Sequence, residues 1–410
     1  MNTQPILYLS YDGMTDPLGQ SQVLSYLIEL TKKGYHFHLI SFEKPTLFEQ
    51  HGKYIQELCK KNKIDWQPLI YTKKPPVLST FKDIRKLRKK AFATQAKYNI
   101  ELVHCRSYIT ALVGLKLKQK KKTKLLFDMR GFWADERLEG NIWNKKNILF
   151  RLIYNYFKGK ERVFLSTSDT VISLTHNGKK EILSWSSNTF TPAPIQVIPC
   201  CANLDLFNPN TIQTKQKSDL LKQLNLNHTT KILGYVGSIG TWYMLKEMML
   251  FYAHFRTQFE DTQFVFVSAE SPTTIKKEAE KQQIPSTEIS IVSVIHKDVP
   301  KYISLFDYSV FFIRPSFSKK ASSPVKQGEL MAMGIPVICN EGVGDTDEIV
   351  KKNNAGITIS TLTSSEFSKI KLNNYTFNPE EIRSKSFTHF SLEQGVELYA
   401  TVYRNLFNKK

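Results

Sequence analysis

Two successive runs of alternating strand-like and helix-like segments, separated by a polar break, most constrain how this chain can fold. In the first run, short apolar segments alternate with stretches whose apolar residues recur at helical spacing. The predicted strands are Ile6–Ser10, Phe37–Phe42, Leu102–Cys105, Lys124–Asp128, Thr170–Leu174 and Gln196–Pro199. This alternation is typical of a parallel sheet covered by helices.

The polar residues 203–217 interrupt the alternation, which then starts again. The predicted strands of this second run are Lys231–Val236, Phe264–Ser268, Ser290–Val294, Tyr308–Ile313 and Ile335–Cys339. We therefore expect an α/β protein with two Rossmann-like, doubly wound domains, residues 1–207 and 208–388. Residues 389–410 are expected to form a helix that packs back on the N-terminal domain. Because ligands of such sheets bind beyond the carboxyl ends of the strands, the two domains are expected to face each other across one cleft.

The charge of the chain is large and uneven. It totals +20, of which residues 1–200 carry +17 and residues 201–410 only +3. Residues 81–98 predict a basic amphipathic helix, and Lys118–Lys124 adds a second basic cluster. Basic runs are usually solvated faces, but the one-sided charge favours an anionic membrane surface as partner. Nucleic acid is also a polyanion, yet the sequence has no helix-turn-helix, zinc-finger or aromatic RNA-binding motif, so no nucleic-acid partner is expected.

Cysteine usage and hydropathy predict a cytoplasmic protein. The five cysteines are odd in number and contain no C-x-x-C pair, which favours a reducing compartment without structural zinc. Apolar stretches are far shorter than the ~20 residues that span a bilayer, and the N-terminus lacks the pattern of a secretion signal. We expect a cytoplasmic location, peripheral on the inner face of the cell membrane.

Two segments of the second run have the residue types of a nucleotide site. Gly237 and Ser238 follow a strand, where glycine lets backbone N–H groups approach a phosphate; a tight turn is the alternative interpretation. Pro324 favours a helix start, and Lys326 and Glu329 then share one helix face. A lysine for phosphate and a glutamate for sugar hydroxyls suit a ribose diphosphate, whereas a solvated ion pair is the alternative.

The run SPVKQGELMAMGIPVI (residues 323–338) resembles the donor-binding segment of family 4 retaining glycosyltransferases, which have the GT-B fold. Residues 12–44 are similar to the first βαβ unit of that family, and VIPCCANLDLF and LGYVGSIGTWY to its interdomain segment and second-domain turn. FDMRGFWADERLEG and FFIRPSFSKKASSP resemble a subgroup. The similarity covers nearly the whole chain in the right order.

The resemblance implies a set of site residues. The implied donor-binding residues are Gly19, Gln20, Gly237, Ser238, Arg314, Ser323, Lys326 and Glu329. The implied catalytic residues are His104, Arg130 and Asp135. A satisfied core histidine, an internal salt bridge between Arg130 and Asp135, and helix capping at Gly19 and Gln20 are the structural alternatives.

The chain departs from the family pattern at two places. Ala321 stands where the first glutamate of the frequent Glu-x7-Glu motif is expected, as in members with a Ser-Pro-x-Lys variant. The basic pair that often follows the glycine turn is replaced by Thr241-Trp242-Tyr243. Arg314, Lys319, Lys320 and Lys326 are the candidates to replace it toward the diphosphate.

The implied reaction moves a hexose-type sugar from a UDP- or GDP-sugar to a hydroxyl of a glycan or lipid-linked acceptor, with retention of configuration, in cell-surface polysaccharide or glycolipid assembly. No cofactor or metal is expected, and Asp345-Thr346-Asp347 is interpreted as a helix cap. The alternatives are a nucleotide-sugar epimerase of the same fold and a polyanion- or nucleic-acid-binding protein.

Overall fold

The computed structural model describes residues 4–75 and 77–408. It divides into two compact units. The first consists of Met1–Pro199, Lys320–Ser322 and Leu392–Lys410, and the second of Cys200–Lys319 and Ser323–Ser391.

Each unit is built on one parallel sheet. The strands are β1 Gln4–Ser10, β2 Tyr35–Glu43, β3 Ile64–Ile70, β4 Leu102–Arg106, β5 Lys124–Asp128, β6 Thr170–Ser173, β7 Ile195–Val197, β8 Lys231–Val236, β9 Thr262–Val267, β10 Ile289–Val292, β11 Tyr308–Phe311, β12 Val337–Asn340 and β13 Gly356–Ile359. The first sheet has the order β3-β2-β1-β4-β5-β6-β7 and the second the order β10-β9-β8-β11-β12-β13. In both, the strand order reverses beside the first strand, at β1/β4 and at β8/β11, where doubly wound sheets bind ligands.

Helices connect the strands and cover the sheets. They are α1 Pro17–Gly19, α2 Ser25–Lys32, α3 Pro45–Lys61, α4 Leu78–Tyr98, α5 Ser107–Lys121, α6 Trp133–Glu139, α7 Ile148–Thr167, α8 His176–Ser184, α9 Thr214–Gln223, α10 Leu245–Phe255, α11 Pro272–Lys281, α12 Val299–Ile303, α13 Val325–Ala332, α14 Thr346–Lys352, α15 Ser364–Lys369, α16 Pro379–Phe390 and α17 Leu392–Asn408. A π-helical turn, Gln20–Leu24, joins α1 to α2. Short 3₁₀ turns occur at Pro209–Thr211, Ser286–Glu288, His296–Asp298, Ser318–Ala321 and Leu372–Asn374.

The predicted α/β architecture with two Rossmann-like, doubly wound sheets is confirmed, and the central strands are the best predicted elements. Ile6–Leu9 and Phe264–Phe266 are completely or almost completely buried, as expected for strands covered on both faces. Sequence reasoning missed β3 and β13. It also placed the start of the first helix at Gly19, whereas the helix begins at Pro17, because proline suits the first helical position.

The last helix, α17, belongs to the first unit. Its buried face includes Tyr399, Tyr403 and Leu406. The Tyr403 hydroxyl lies 2.7 Å from His104 Nδ1 on β4, and the Tyr35 hydroxyl on β2 donates to the carbonyl of Ala400 at 3.0 Å. The end of the chain thus completes the core around the first sheet.

Across residues 4–75 and 77–408, no helix has both the length and the apolar composition needed to cross a membrane.

Tyr403→Phe tests the bond between α17 and the first sheet. The variant leaves the buried Nδ1 of His104 without its hydroxyl partner, so we expect a loss of about 1–3 kcal/mol of stability, seen as a lower melting temperature in calorimetry. Tyr54→Phe, on an exposed tyrosine of α3, is the control and should melt like the parent. Equal melting temperatures for all three proteins would contradict the assignment.

Candidate active site

In the second unit, the carboxyl end of β8 brings a glycine against a lysine. Gly237 follows the strand with φ +98°, and a Cβ at this position would lie 3.3 Å from Nζ of Lys326. The turn therefore needs glycine both for its backbone conformation and for the approach of the ammonium group. Gly237 and Lys326, both predicted to bind the donor, are therefore in contact at the end of β8.

Lys326 is buried among aromatic groups. Its ammonium donates to the Tyr235 hydroxyl at 3.0 Å and lies 3.6 Å from the centre of the Tyr243 ring. The Tyr235 hydroxyl in turn donates to the carbonyl of Ser238 at 2.7 Å. Within the described residues no carboxylate forms an ion pair with Lys326, and burial lowers its pKa well below the ordinary value. The charge of Glu329 opposes this shift without forming an ion pair, and a buried lysine without an ion-pair partner provides a site at which an anion is stabilised.

Glu329 lies one helical turn further along α13. Its carboxylate is paired with Nε2 of His296 at 3.1 Å, and the glutamate is buried whereas the histidine side chain is half-exposed. The solvated Lys326–Glu329 ion pair, the alternative from sequence, is not formed in the part of the chain that the structure describes. The hydrogen bond to Glu329 raises the pKa of His296, although burial opposes the shift.

The other candidates of the second unit lie around the same strand ends. Arg314 follows β11, and its guanidinium lies 4.8 Å from the centre of the Trp242 ring, on which Lys319 Nζ also packs at 3.7 Å. The Ser323 hydroxyl accepts a hydrogen bond from the backbone N–H of Cys200 at 3.2 Å. Ser238 is exposed. The aromatic and cationic side chains make this edge of the sheet suited to a flat, negatively charged ligand.

Lys320 and Ala321 belong to the first unit. Lys320 Nζ pairs with Glu181 at 2.8 Å, and the Thr175 hydroxyl donates to the Lys320 carbonyl at 2.7 Å. The charge of Lys320 is therefore paired, unlike that of Lys326.

In the first unit, the loop after β1 is held by a buried carboxylate. Glu43, at the end of β2, accepts from the backbone N–H groups of Met14 at 2.9 Å and Thr15 at 3.0 Å. Gly19 packs against this loop so closely that a Cβ would lie 1.9 Å from the Gly13 carbonyl oxygen. Gln20 extends its side-chain amide to the Thr15 carbonyl at 3.4 Å. Gly19 and Gln20 thus contact a rigid strand-end loop.

His104 is buried inside the first unit. It is 1% exposed, its Nδ1 contacts Tyr403, and its Nε2 lies 3.6 Å from Asp128 Oδ2. Burial lowers the pKa of His104 despite the nearby carboxylate. His104 is therefore buried in the core, with its Nδ1 but not its Nε2 within hydrogen-bond distance of a partner among the described residues.

Asp128, at the end of β5, is the centre of a charged cluster. One η nitrogen each of Arg106 and Arg130 lies 3.8 Å from its Oδ2, and Arg106 Nε also donates to Asp12 at 3.0 Å. Burial raises the pKa of Asp128, but Arg130 and the other positive neighbours outweigh it, and the pKa is lowered. Arg130 has φ +58°, an uncommon conformation for a residue with a Cβ.

Three buried atoms of this cluster have no hydrogen-bond partner within the described residues: His104 Nε2, Arg106 Nη1 and Asp128 Oδ1. Buried polar groups in folded proteins are normally satisfied, so such atoms indicate bound water or ligand. The carboxyl edge of the first sheet therefore has the polar groups of a binding site.

Asp135 does not join that cluster. Its carboxylate pairs with Lys158 Nζ at 2.8 Å and accepts from the Tyr154 hydroxyl at 2.8 Å, both on α7. Asp135 thus forms an internal salt bridge, as the structural alternative proposed, but its partner is Lys158 and not Arg130.

Comparison with protein families identifies both halves. Residues 19–206 match the model of Glycosyltransferase Family 4, and residues 216–372 that of Glycosyl transferases group 1. The chain is a GT-B-type glycosyltransferase with a family 4 domain in its first half.

Solved structures share the fold of this glycosyltransferase at low sequence identity. A glycosyltransferase from Rickettsia africae superposes with a TM-score of 0.73 at 15% identity, covering 100% of both chains. Sucrose-phosphate synthase from Thermosynechococcus elongatus gives 0.73 at 18%, covering 99% of this chain and 100% of its own. HepE from Anabaena, in complex with UDP and glucose, gives 0.67 at 13%, covering 97% and 99%. No curated protein sequence matches significantly.

Several residues of the candidate site were missed from sequence. Asp128 ends a predicted strand, and Arg106 and Glu43 directly follow one, which is the signal that would have found them. Tyr235 and His296 gave no such signal, because their importance depends on partners distant in sequence. Among residues 4–75 and 77–408, no cluster of three or more His, Cys, Asp or Glu is arranged to hold a metal ion.

Replacing the histidine of the Glu329 pair tests its charge state. Because the pKa of His296 is raised above its ordinary value of 6.5, protonated His296 stabilises the fold below pH 6.5, and this contribution is lost as pH rises through the raised value. His296→Gln should therefore lower the melting temperature more at pH 5.5 than at pH 9. A difference that does not change with pH would contradict the pairing with Glu329.

Proposed function

We propose that this glycosyltransferase transfers a sugar from a nucleoside diphosphate sugar to an acceptor hydroxyl, with retention of the anomeric configuration. The observation that carries the proposal is the buried ammonium of Lys326, which lies against Gly237 without a carboxylate partner in the described residues. A diphosphate is a ligand that would supply the missing counter-charge. The UDP bound to HepE, a protein of the same fold, supports a UDP-sugar, and a GDP-sugar is the other donor considered.

Glu329 is proposed to accept hydrogen bonds from hydroxyls of the donor. It is already oriented by His296, and as an ionised carboxylate it has only acceptor oxygens. Arg314, Lys319, Ser238 and Ser323 surround the same strand ends and are proposed to complete the donor contacts. Gly19 and Gln20 of the first unit are proposed to contact the donor phosphates.

In the proposed reaction, the bond between the anomeric carbon and the diphosphate oxygen breaks as the acceptor oxygen bonds to the same face of that carbon. The acceptor proton passes to an oxygen of the departing diphosphate, so no protein base is needed. Lys326 and backbone N–H groups after β8 stabilise the negative charge that develops on the leaving group. The products are a nucleoside diphosphate and a glycoside, and the proposed reaction uses no metal ion or other cofactor.

The first unit is proposed to bind the acceptor at the carboxyl edge of its sheet. The unsatisfied Arg106 and Asp128 atoms supply a donor and an acceptor for hydroxyl groups there. Arg130 is proposed to contact the reacting sugar, and His104 and Asp135, which are held by Tyr403 and Lys158, to position the groups around it. The proposed acceptor is a glycan or lipid-linked sugar of a cell-surface polysaccharide or glycolipid.

A peripheral cytoplasmic location at an anionic membrane is part of the proposal. The strongly positive first half of the chain supports it, since cations near anionic lipid contribute roughly 1 kcal/mol each. On α4, exposed cations such as Lys82, Arg85 and Lys89 accompany the exposed Leu78 and Phe81.

Donor binding should depend on both polar residues of α13. Lys326→Met and Glu329→Gln each remove a charge-assisted contact, so we expect about tenfold or greater loss of UDP or GDP affinity in calorimetric titrations. Lys351→Met is the matched control, because it removes an exposed lysine of the same unit that pairs with Glu341. Unchanged affinity in both α13 variants, with normal melting temperatures, would refute the donor site.

The stereochemical course is tested by NMR. The first glycoside formed from an α-linked UDP- or GDP-sugar should be the α anomer, and excess EDTA should leave the initial rate unchanged. Formation of the β anomer would disprove retention, and a rate abolished by EDTA and restored by a divalent ion would disprove metal independence. An isomerised donor formed without acceptor would instead identify an epimerase.

A further inference from the structure

Helix α7 exposes large apolar side chains that the fold does not cover. Their exposed fractions are Ile148 66%, Leu149 52%, Leu152 60%, Tyr156 49% and Val163 36%. At 100° of rotation per residue, all five lie within an arc of about 100° on the helix. They therefore lie on one face of the helix, here called the α7 stripe, with Ile148, Leu149, Leu152 and Tyr156 on successive turns and Val163 two turns further on.

The opposite face of α7 is the one that packs into the protein. Phe157, Phe164 and Leu165 are buried there, and Glu161 is buried with them beside Lys158. A surface helix normally has one apolar face, toward the core, and a polar face toward water. The second apolar face of α7 is not explained by the packing of this unit.

The charged residues that border the α7 stripe are positive, and all of them are exposed except the half-buried Lys160. Arg151 and Arg162 lie on one side of the arc, and Lys160, which packs 5.7 Å from the Tyr156 ring, lies on the other. The exposed Lys145 and Lys146 directly precede the helix. The only acidic residue from 141 to 167 is Glu161, which is 1% exposed.

We propose that the α7 stripe inserts into the interface of an anionic lipid membrane, with α7 lying parallel to the surface. An apolar stripe bordered by Lys and Arg is the pattern of interfacial helices, whose apolar side chains enter the acyl boundary while the cations reach anionic headgroups. Charge complementarity selects this occupant, because a second copy of the chain would place one set of these cations against another.

The inference refines the membrane part of the proposed function. On α4, the central Leu87 and Ala91 are buried, so its large exposed apolar side chains lie only at its two ends, Leu78 and Phe81 at one and Tyr98 at the other. Helix α4 can add electrostatic attraction, whereas α7 supplies the larger apolar contact. The proposal is independent of the transfer reaction, since lipid binding is measured without donor or acceptor.

Vesicle sedimentation tests the α7 stripe. The full-length protein should bind vesicles of phosphatidylcholine and phosphatidylglycerol in equal parts and not vesicles of phosphatidylcholine alone. Leu149→Gln/Leu152→Gln keeps the net charge and should lower the partition coefficient about tenfold or more, because two apolar side chains no longer enter the interface. Since both side chains are exposed, the melting temperature and the affinity for UDP or GDP should stay at parent values.

The matched control is Tyr375→Gln/Phe387→Gln, which replaces two exposed aromatic residues of the second unit and should bind vesicles like the parent. Three results would overturn the proposal. The first is that the parent protein does not bind the anionic vesicles. The second is that the α7 variant binds them like the parent while Leu78→Gln/Phe81→Gln loses vesicle binding. The third is that the parent is a dimer without lipid and the α7 variant is a monomer. Loss of UDP and GDP binding by Lys326→Met bears only on the proposed function.

Discussion

The reversal of strand order beside β1 and β8 is the constraint on which the rest of the molecule depends. At such a reversal the connections leave the sheet in opposite directions, so the strand ends are not covered by a crossover helix. Polar groups can lie there without disturbing the packed interior. In the first unit, Arg106 ends β4 at the reversal and Asp128 ends the adjacent β5. In the second unit, Gly237 follows β8 and Arg314 follows β11, the two strands at the reversal.

The carboxyl edges of the two sheets differ in how their charged groups are paired. Around Asp128, positive and negative groups nearly balance, and the unsatisfied atoms offer both donors and acceptors. Around Lys326, the ammonium group packs against aromatic rings and has no ion-pair partner among the described residues. Its buried charge is therefore energetically unfavourable until an anion binds. The first arrangement suits neutral hydroxyl groups, and the second suits a phosphate, which matches the division of substrates proposed for the two units.

Sequence patterns predicted the two sheets well, because fully apolar strands such as Ile6–Ser10 have no other stable location. They missed β13, which is short and begins at Gly356. They also missed the edge strand β3, because its polar and proline residues Asp65, Gln67 and Pro68 interrupt the apolar pattern of a buried strand. For the site, the helix-start pattern predicted that Lys326 and Glu329 share a face, but it could not show that His296 pairs with the glutamate. The burial of His104 was likewise unpredictable, since its partner Tyr403 is 299 residues away.

That distance has a consequence for biosynthesis. Helix α17, which covers the core around β4, leaves the ribosome after the second unit, so the first unit stays incompletely packed while the second unit is being translated. Contacts between such remote segments form late because a long loop must close first. The nascent chain therefore exposes the side of β4 near His104 until α17 has been made, and a stop codon before α17 would leave that side uncovered.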